Sequence, residues 1–436
     1  MSLTYWCLVD RTASRGPGGW PAMQAGLLGT APQCIPFEQR LLVFRALVAE
    51  DKERGRWDKP PSEGGPAPLQ FTIHRGSLLQ DGWSALRNSG AVVKGRLVVS
   101  FVNEQGMLEA GLDYGGLVKE FLEQAISTGF NADYGLFSST PDGLAYPQPA
   151  ATTIPNGLGL LEFLGLVVGK ALYEGILLDV PLSPFFVARL QGRRPMFDDL
   201  AALDSELYRS LVQLKRYDGD AADLCLDFSV EDDTFGARSI QTLVPGGSQV
   251  AVTNSNKLHY IHLAADWHLN GRLSASSAAF ARGLAQVIPP SWLKLFNPQE
   301  VNQLLGGGEN GLVDVTDMAA HTCYSGGYSK DHATIKLFWK VMTSLSDKER
   351  QAVMRFVTSC SRAPLGGFQH LNPPLTLHKV PCEASLLAAV GGKDVDRLPS
   401  ASTCYNMLKL PNYRRASTLK EKLLYAVSSN AGFELS

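Results

Sequence analysis

The segment Leu398-Pro-Ser-Ala-Ser-Thr-Cys-Tyr-Asn-Met-Leu-Lys-Leu-Pro-Asn-Tyr413 reads as a turn followed by a strand. Pro399 and Pro411 bracket it. Ser400, Ser402 and Thr403 are small and polar and suit an exposed turn, and Asn406 to Leu410 then reads as a strand. Cys404 is therefore expected in a polar turn that solvent can reach. A cysteine reacts according to its thiolate character and its accessibility, and this setting offers the second. The alternative on the same residues is a partly buried structural thiol.

Outward from this segment the chain organises as an α/β unit. Ser346-x-x-Glu349 is a capping box, and Val353, Phe356 and Val357 give the helix it opens an apolar face. Short strands are expected at 375–380 and 406–410. Thr418-x-x-Glu421 is a second capping box, opening a helix with Leu419, Leu423, Leu424 and Val427 on one side. Residues 347–436 are enough to fold as one unit. Thr343, Ser344, Leu345 and Ser346 form a short polar link and are expected to act as a hinge.

Upstream lies a larger unit, residues 81–342. Helices are expected at 115–127, 158–178, 204–216, 255–270, 275–287 and 331–344, and strands at 70–74 and 96–102. Residues 36–80 precede it as a helical segment and linker. Phe37, Leu41, Leu42, Phe44, Leu47 and Val48 recur at helical spacing, and Pro60, Pro61, Pro66 and Pro68 mark a loop. Residues 1–35, rich in Gly, Pro, Ala and Ser, are expected to be poorly ordered.

With 436 residues, the chain is too long for one compact core. The balance of 40 basic and 42 acidic side chains gives a net charge of -2, so nothing points to nucleic acid or an anionic membrane. The apolar run from Gly157 to Val180 holds Glu162, Lys170 and Glu174 and reads as a buried helix. No signal peptide is visible at the N-terminus. Seven scattered cysteines are not a disulfide framework, which favours a reducing compartment, the cytoplasm and also the nucleus.

Other chemistry finds little support. Cys225, Cys360 and Cys382 lie in apolar or strand-like surroundings, and Cys323 in a tyrosine- and glycine-rich turn. No Cys-x-x-Cys pair is present, which argues against a structural zinc site or a redox pair. His259 and His262 share a helical face but lack a partner motif for a metal. There is no Gly-x-Ser-x-Gly elbow. Gly306-Gly307-Gly308 lacks the Lys-Ser/Thr of a phosphate loop, and Gly157-x-Gly159 lacks a third glycine.

Leu398-Pro399, Thr403-Cys404-Tyr405-Asn406, Leu408-Lys409-Leu410-Pro411 and Tyr413 together resemble the active-site signature of the HECT family of ubiquitin-protein ligases. Further parts match in order: Glu109 to Phe121 resembles the family's start motif, and Gly169 to Gly175 its central helix. Tyr324 to Tyr328 with Ile335, Phe338 and Trp339 resembles the end of its N-lobe, and Phe356 to Arg362 with Pro364, Gly367 and Phe368 the first part of its C-lobe. The resemblance runs over about residues 36–436. Phe37 to Asp51, Lys215 to Asp220 and the final Gly432-Phe-Glu-Leu-Ser436 look most like the branch with an upstream IQ motif. No IQ pattern is present here, so calmodulin binding is not carried over.

The resemblance implies an α+β, bilobal fold: a large, mainly helical N-lobe, a docking subdomain within it at about 190–270, a hinge, and a small α/β C-lobe. It implies that ubiquitin passes from a charged conjugating enzyme to Cys404 as a thioester, and then to a lysine of a protein substrate. Thiol-to-thioester exchange is near energy-neutral and leaves the acyl group activated, so neither cofactor nor metal is called for. Thr403 and Asn406 match positions that shape the loop and can donate to a developing oxyanion; the other reading of them is turn and strand-start chemistry. Phe433 matches an aromatic that anchors the tail. Leu207, Leu211, Leu214 and Tyr217, with Leu226 and Tyr260 opposite, match the groove that docks the conjugating enzyme; plain core packing is the other reading. Many members carry His two residues before the cysteine. Here Ser402 stands there, so an acidic group or water must take the proton of the incoming lysine. A non-catalytic HECT-like binding module is the alternative, and a cysteine hydrolase lacks a partnered histidine among His370 and His378.

Overall fold

The computed structural model describes residues 28–109, 116–234, 237–308, 313–380 and 395–429. Their buried apolar side chains fall into two cores, one running from Leu28 to Leu305 and the other from Val313 to Ala426.

The first core is built around helix Gly157–Glu174, which is buried on nearly every face. It crosses helix Ser274–Val287 at two glycines. A Cβ on Gly165 would lie 2.0 Å from the Phe280 carbonyl oxygen, and one on Gly283 would lie 1.7 Å from that of Glu162. Only hydrogen side chains let the two backbones meet this closely. The central helix stops at Gly175, whose φ of 70° closes it, so it does not reach the expected 178. Helix Phe37–Gly55 lays Phe44 edge-on to Trp292 and Phe296. Strands Leu69–His74 and Leu97–Val102 pair in parallel, with Leu69 opposite Leu97. Helix Gly116–Gly129 packs on this layer through Phe121, which meets Phe71 and Phe163. No helix among the described residues is long and apolar enough to cross a membrane.

A subdomain follows with helix Ser205–Arg216, the hairpin Ser229–Thr234 and Ala237–Thr242, and helix Lys257–Asp266 running into a π turn at Trp267–Gly271. Asp204 caps the first of these helices by accepting from the amides of Glu206 and Leu207.

The second core holds a four-stranded sheet in the order Cys323–Ser325, Thr376–Val380, Met407–Pro411, Ser400–Ser402. The first three strands are parallel and the last is antiparallel. Helices Ala333–Ser344, Asp347–Thr358 and Ala416–Ser428 cover it.

Three expectations are corrected here. A hinge at Thr343–Ser346 does not fit. Leu345 is 3% exposed inside the second core, Ser346 caps the next helix, and Arg350 donates to the carbonyls of Met342 and Thr343. Strand Cys323–Ser325 also precedes that link yet belongs to the second sheet, so the units divide between Leu305 and Val313 and not at 342 to 347. Within 1–35, Leu28 and Ile35 are buried in the first core, while residues 1–27 lie outside those described. Last, the Thr418-x-x-Glu421 pattern falls inside a helix that begins at Ala416. The Ser346–Glu349 box does form, with the Ser346 amide 2.7 Å from Glu349 Oε2.

Candidate active site

Thr403–Tyr405 is one turn of 3-10 helix between strands Ser400–Ser402 and Met407–Pro411. Asn406 closes it in the left-handed region, with φ 47° and ψ 43°, a conformation asparagine tolerates better than most residues. The strand therefore starts one residue later than its composition suggests. The turn faces helix Gly116–Gly129 of the other core, and the Tyr405 ring lies where a Cβ on Gly116 would have to be, 2.4 Å away.

Two consecutive side chains of that helix reach into the turn. The Lys119 ammonium is almost wholly buried. It donates to the carbonyl oxygens of Thr403 at 2.8 Å and Thr358 at 3.3 Å, and to Asn406 Oδ1. Its charge is met by Glu123 Oε1 at 3.4 Å. Glu120 turns the other way, and the Cys404 thiol donates to its Oε2 at 3.2 Å. The second oxygen of Glu120 is fixed by Arg75, whose Nη1 stands 2.5 Å from it. Arg75 also grips Glu109 through Nε and Nη2 at 2.9 and 2.6 Å, and its guanidinium lies 3.9 Å from the centre of the Phe101 ring.

Cys404 is thus half-buried and not in open solvent as expected. Burial, then the charges of Glu120 and Glu123, push its thiol up to about 12. In this arrangement the sulfur is held as a thiol. Asn406 is fully buried: Oδ1 accepts from Lys119 and Nδ2 donates to the Pro373 carbonyl at 2.5 Å. Donation to an oxyanion does not fit this placement; Asn406 sets the shape of the turn. Thr403 contributes its carbonyl to Lys119. Phe433 lies outside the described residues.

Burial also pushes the Glu123 carboxyl up from 4.5 to about 7, against the lowering pull of Lys119 and the Ser359 hydroxyl. A carboxyl raised in the folded protein binds its proton more tightly there than in the unfolded chain. Its contribution to stability is fully present below about 4.5 and is lost as pH rises to about 7. Glu123→Gln is expected to flatten the pH dependence of urea unfolding across that window. An unaltered slope would show that Glu123 does not titrate there.

The six groove residues separate. Leu211, Leu214 and Tyr260 are buried in the first core, Tyr260 edge-on to Phe228, and Leu207 is half-buried against it. These serve packing first, as the other reading had it. Tyr217 and Leu226 are exposed, at 38% and 36%, with Leu224 and Leu258 exposed on the same subdomain. The Lys257 ammonium donates to the Tyr217 carbonyl at 2.7 Å, which ties the helix bearing Leu258 to Tyr217. Among the other thiols, Cys225 and Cys323 are exposed, Cys360 is buried with its sulfur 3.2 Å from the Gly306 carbonyl, and Cys382 lies outside the described residues.

Sequence reasoning missed Lys119, Glu120 and Arg75 as site residues. Lys119 and Glu120 stand within a quoted motif, but nothing local shows that they meet Thr403 and Cys404, each 284 residues away. Arg75 carries no motif at all.

The family described as HECT-domain (ubiquitin-transferase) matches residues 123–436. A probable E3 ubiquitin protein ligase of Schizosaccharomyces pombe is 41% identical over 404 residues, covering 92% of this chain and 38% of the relative. The human ubiquitin-protein ligase E3B is 40% identical over 435 residues, covering 94% and 40%. The Arabidopsis thaliana E3 ubiquitin-protein ligase UPL6 is 39% identical over 412 residues, covering 94% and 39%. The chain spans about two fifths of the length of these relatives. It belongs to the HECT-domain family.

Proposed function

We propose that this chain is a ubiquitin-protein ligase unit that takes ubiquitin from a charged conjugating enzyme as a thioester on Cys404 and passes it to a lysine of a protein substrate. The observation that carries the reading is Cys404 itself, set in the family's signature turn on a small unit with its own core. Cysteine suits the relay because thioester exchange keeps the acyl group activated while amines still attack it readily. The exposed Tyr217 and Leu226, on one subdomain with the exposed Leu224 and Leu258, support a docking face for the conjugating enzyme, since exposed apolar surface marks partner sites.

The thiol is poorly placed to ionise against Glu120, so loading calls for Cys404 to turn away from helix Gly116–Gly129. That movement would reorient the small unit, whose core begins at Val313, against the larger one. The scattered cysteines remain the reason for assigning the cytoplasm, and the nucleus with it, as the place of action.

The test is a charging assay with activating enzyme, several conjugating enzymes and ubiquitin. A thiol-sensitive adduct is expected on this chain. Cys404→Ala should abolish it, and Cys404→Ser should give a more stable oxygen ester. No adduct on the intact chain with any conjugating enzyme would favour the binding-module reading.

A further inference from the structure

The carboxylate of Glu120 faces the sulfur of Cys404. No histidine stands two residues before Cys404; Ser402 occupies that position. The carboxylate closest to the sulfur comes from the other unit, on helix Gly116–Gly129, with Oε2 3.2 Å from Cys404 Sγ. It is also fixed. Arg75 holds Oε1 at 2.5 Å, and is itself braced by Glu109, by Gln124 Oε1 at 2.9 Å and by the Phe101 ring. One oxygen is thus anchored and the other left facing the sulfur. A fixed carboxylate within hydrogen-bond reach of the reacting atoms meets the geometric requirement for a general base.

Neighbouring contacts keep the turn in this position. Lys119, the residue before Glu120, donates across the interface to the carbonyls of Thr358 and Thr403, and Tyr405, the residue after Cys404, seats over Gly116. The site is complete only when the two units meet.

We propose that Glu120 is a catalytic residue of the transfer step, taking a proton from the acceptor lysine and returning it to the sulfur of Cys404. The assignment rests on the thioester relay argued above. Glu120 Oε2 takes one proton from the lysine ammonium. The freed nitrogen lone pair forms a C–N bond to the thioester carbonyl carbon. The C–S bond then breaks with its electron pair on sulfur. Glu120 hands its proton to that sulfur, the surplus proton on nitrogen goes to solvent, and a neutral amide, a thiol and a carboxylate remain. The return step matters here because burial and the two nearby carboxylates make this a poor place to leave a bare thiolate.

The test separates proton removal from mere positioning. The full chain is charged with ubiquitin, conjugating enzyme is removed, and the thioester is chased in single turnover with free lysine or with hydroxylamine. Lysine arrives as an ammonium and needs a base, whereas hydroxylamine is uncharged at neutral pH. Glu120→Gln keeps an acceptor for Arg75 and loses the base. It is expected to slow the lysine chase by about a hundredfold and to lower the ratio of lysine to hydroxylamine rates at least about tenfold. Glu120→Asp should recover part of that ratio. Equal slowing of both chases would assign Glu120 to structure alone, and a faster lysine chase would make the contact a latch; either overturns the proposal. Failure of the unsubstituted chain to form any adduct would overturn the relay itself, and this assignment with it.

Discussion

Gly283→Ala is expected to lower the folding free energy by about 3 kcal/mol or more, although alanine is the better helix former by about 1 kcal/mol. The reason is the crossing of helices Gly157–Glu174 and Ser274–Val287. The new methyl would stand 1.7 Å from the Glu162 carbonyl oxygen and 2.8 Å from the Leu166 amide nitrogen. Both are backbone atoms in the interior of the most buried helix, so no side-chain rotation can make room. Gly165 faces the Phe280 carbonyl in the same way, and the two glycines form reciprocal notches. Relief would require the helices to separate, which opens voids along the contact and costs packing on both sides. Gly129→Ala is the control. The atoms nearest its methyl are Cδ1, Cδ2 and Cγ of the Leu164 side chain, which can turn aside where a backbone cannot, so about 1 kcal/mol is expected. Urea unfolding of the two variants against the parent decides the matter, and similar midpoints for both would show that the helices do not cross at these glycines.

The sequence announced what is local and concealed what is distant. Helix Phe37–Gly55 was legible because its apolar side chains repeat every three or four residues, and the Ser346–Glu349 box because both partners lie within one turn. The same pattern at Thr418 and Glu421 misled, since a spacing of three also occurs in mid-helix. Thr343–Ser346 looked like a hinge because polarity was read in place of burial; Leu345 sits in a core that only the fold assembles. Strand Cys323–Ser325 was hidden because its partner, Thr376–Val380, lies some 50 residues on. Leu211 and Leu214 show the same limit. A helical stripe gives the direction of an apolar face but not whether a core or a partner covers it. The turn that carries Cys404 was legible through its signature. The carboxylate facing it was not, because helix Gly116–Gly129 and the turn at Thr403–Tyr405 become neighbours only when two units pack together.

Lys119→Ala is expected to loosen that junction by about 3 kcal/mol, the scale for removing one partner from a buried charged cluster. The ammonium is nearly inaccessible and serves three acceptors, the carbonyls of Thr358 and Thr403 and the side chain of Asn406. Charged donors make stronger hydrogen bonds than neutral ones, and acceptors stripped of a donor in the interior carry their full desolvation penalty. Glu123 would lose its counter-charge as well. Lys119 is among the groups that hold the Glu123 carboxyl down, so its removal would raise that carboxyl further and move the pH window of lost stability upward. Because the donor sits on one core and its acceptors on the other, the weakening should appear first at the interface and not as loss of either fold. The readout is hydrogen exchange at the Asn406 amide, which closes the turn by donating to the Thr403 carbonyl at 3.1 Å. Its exchange should accelerate by about a hundredfold, while amides inside helix Gly157–Glu174 exchange as before. Lys119→Met, which keeps the apolar stem, should behave like the alanine variant if charge holds the junction. Recovery of slow exchange in the methionine variant would mean that the stem, and not the ammonium, binds the two units together.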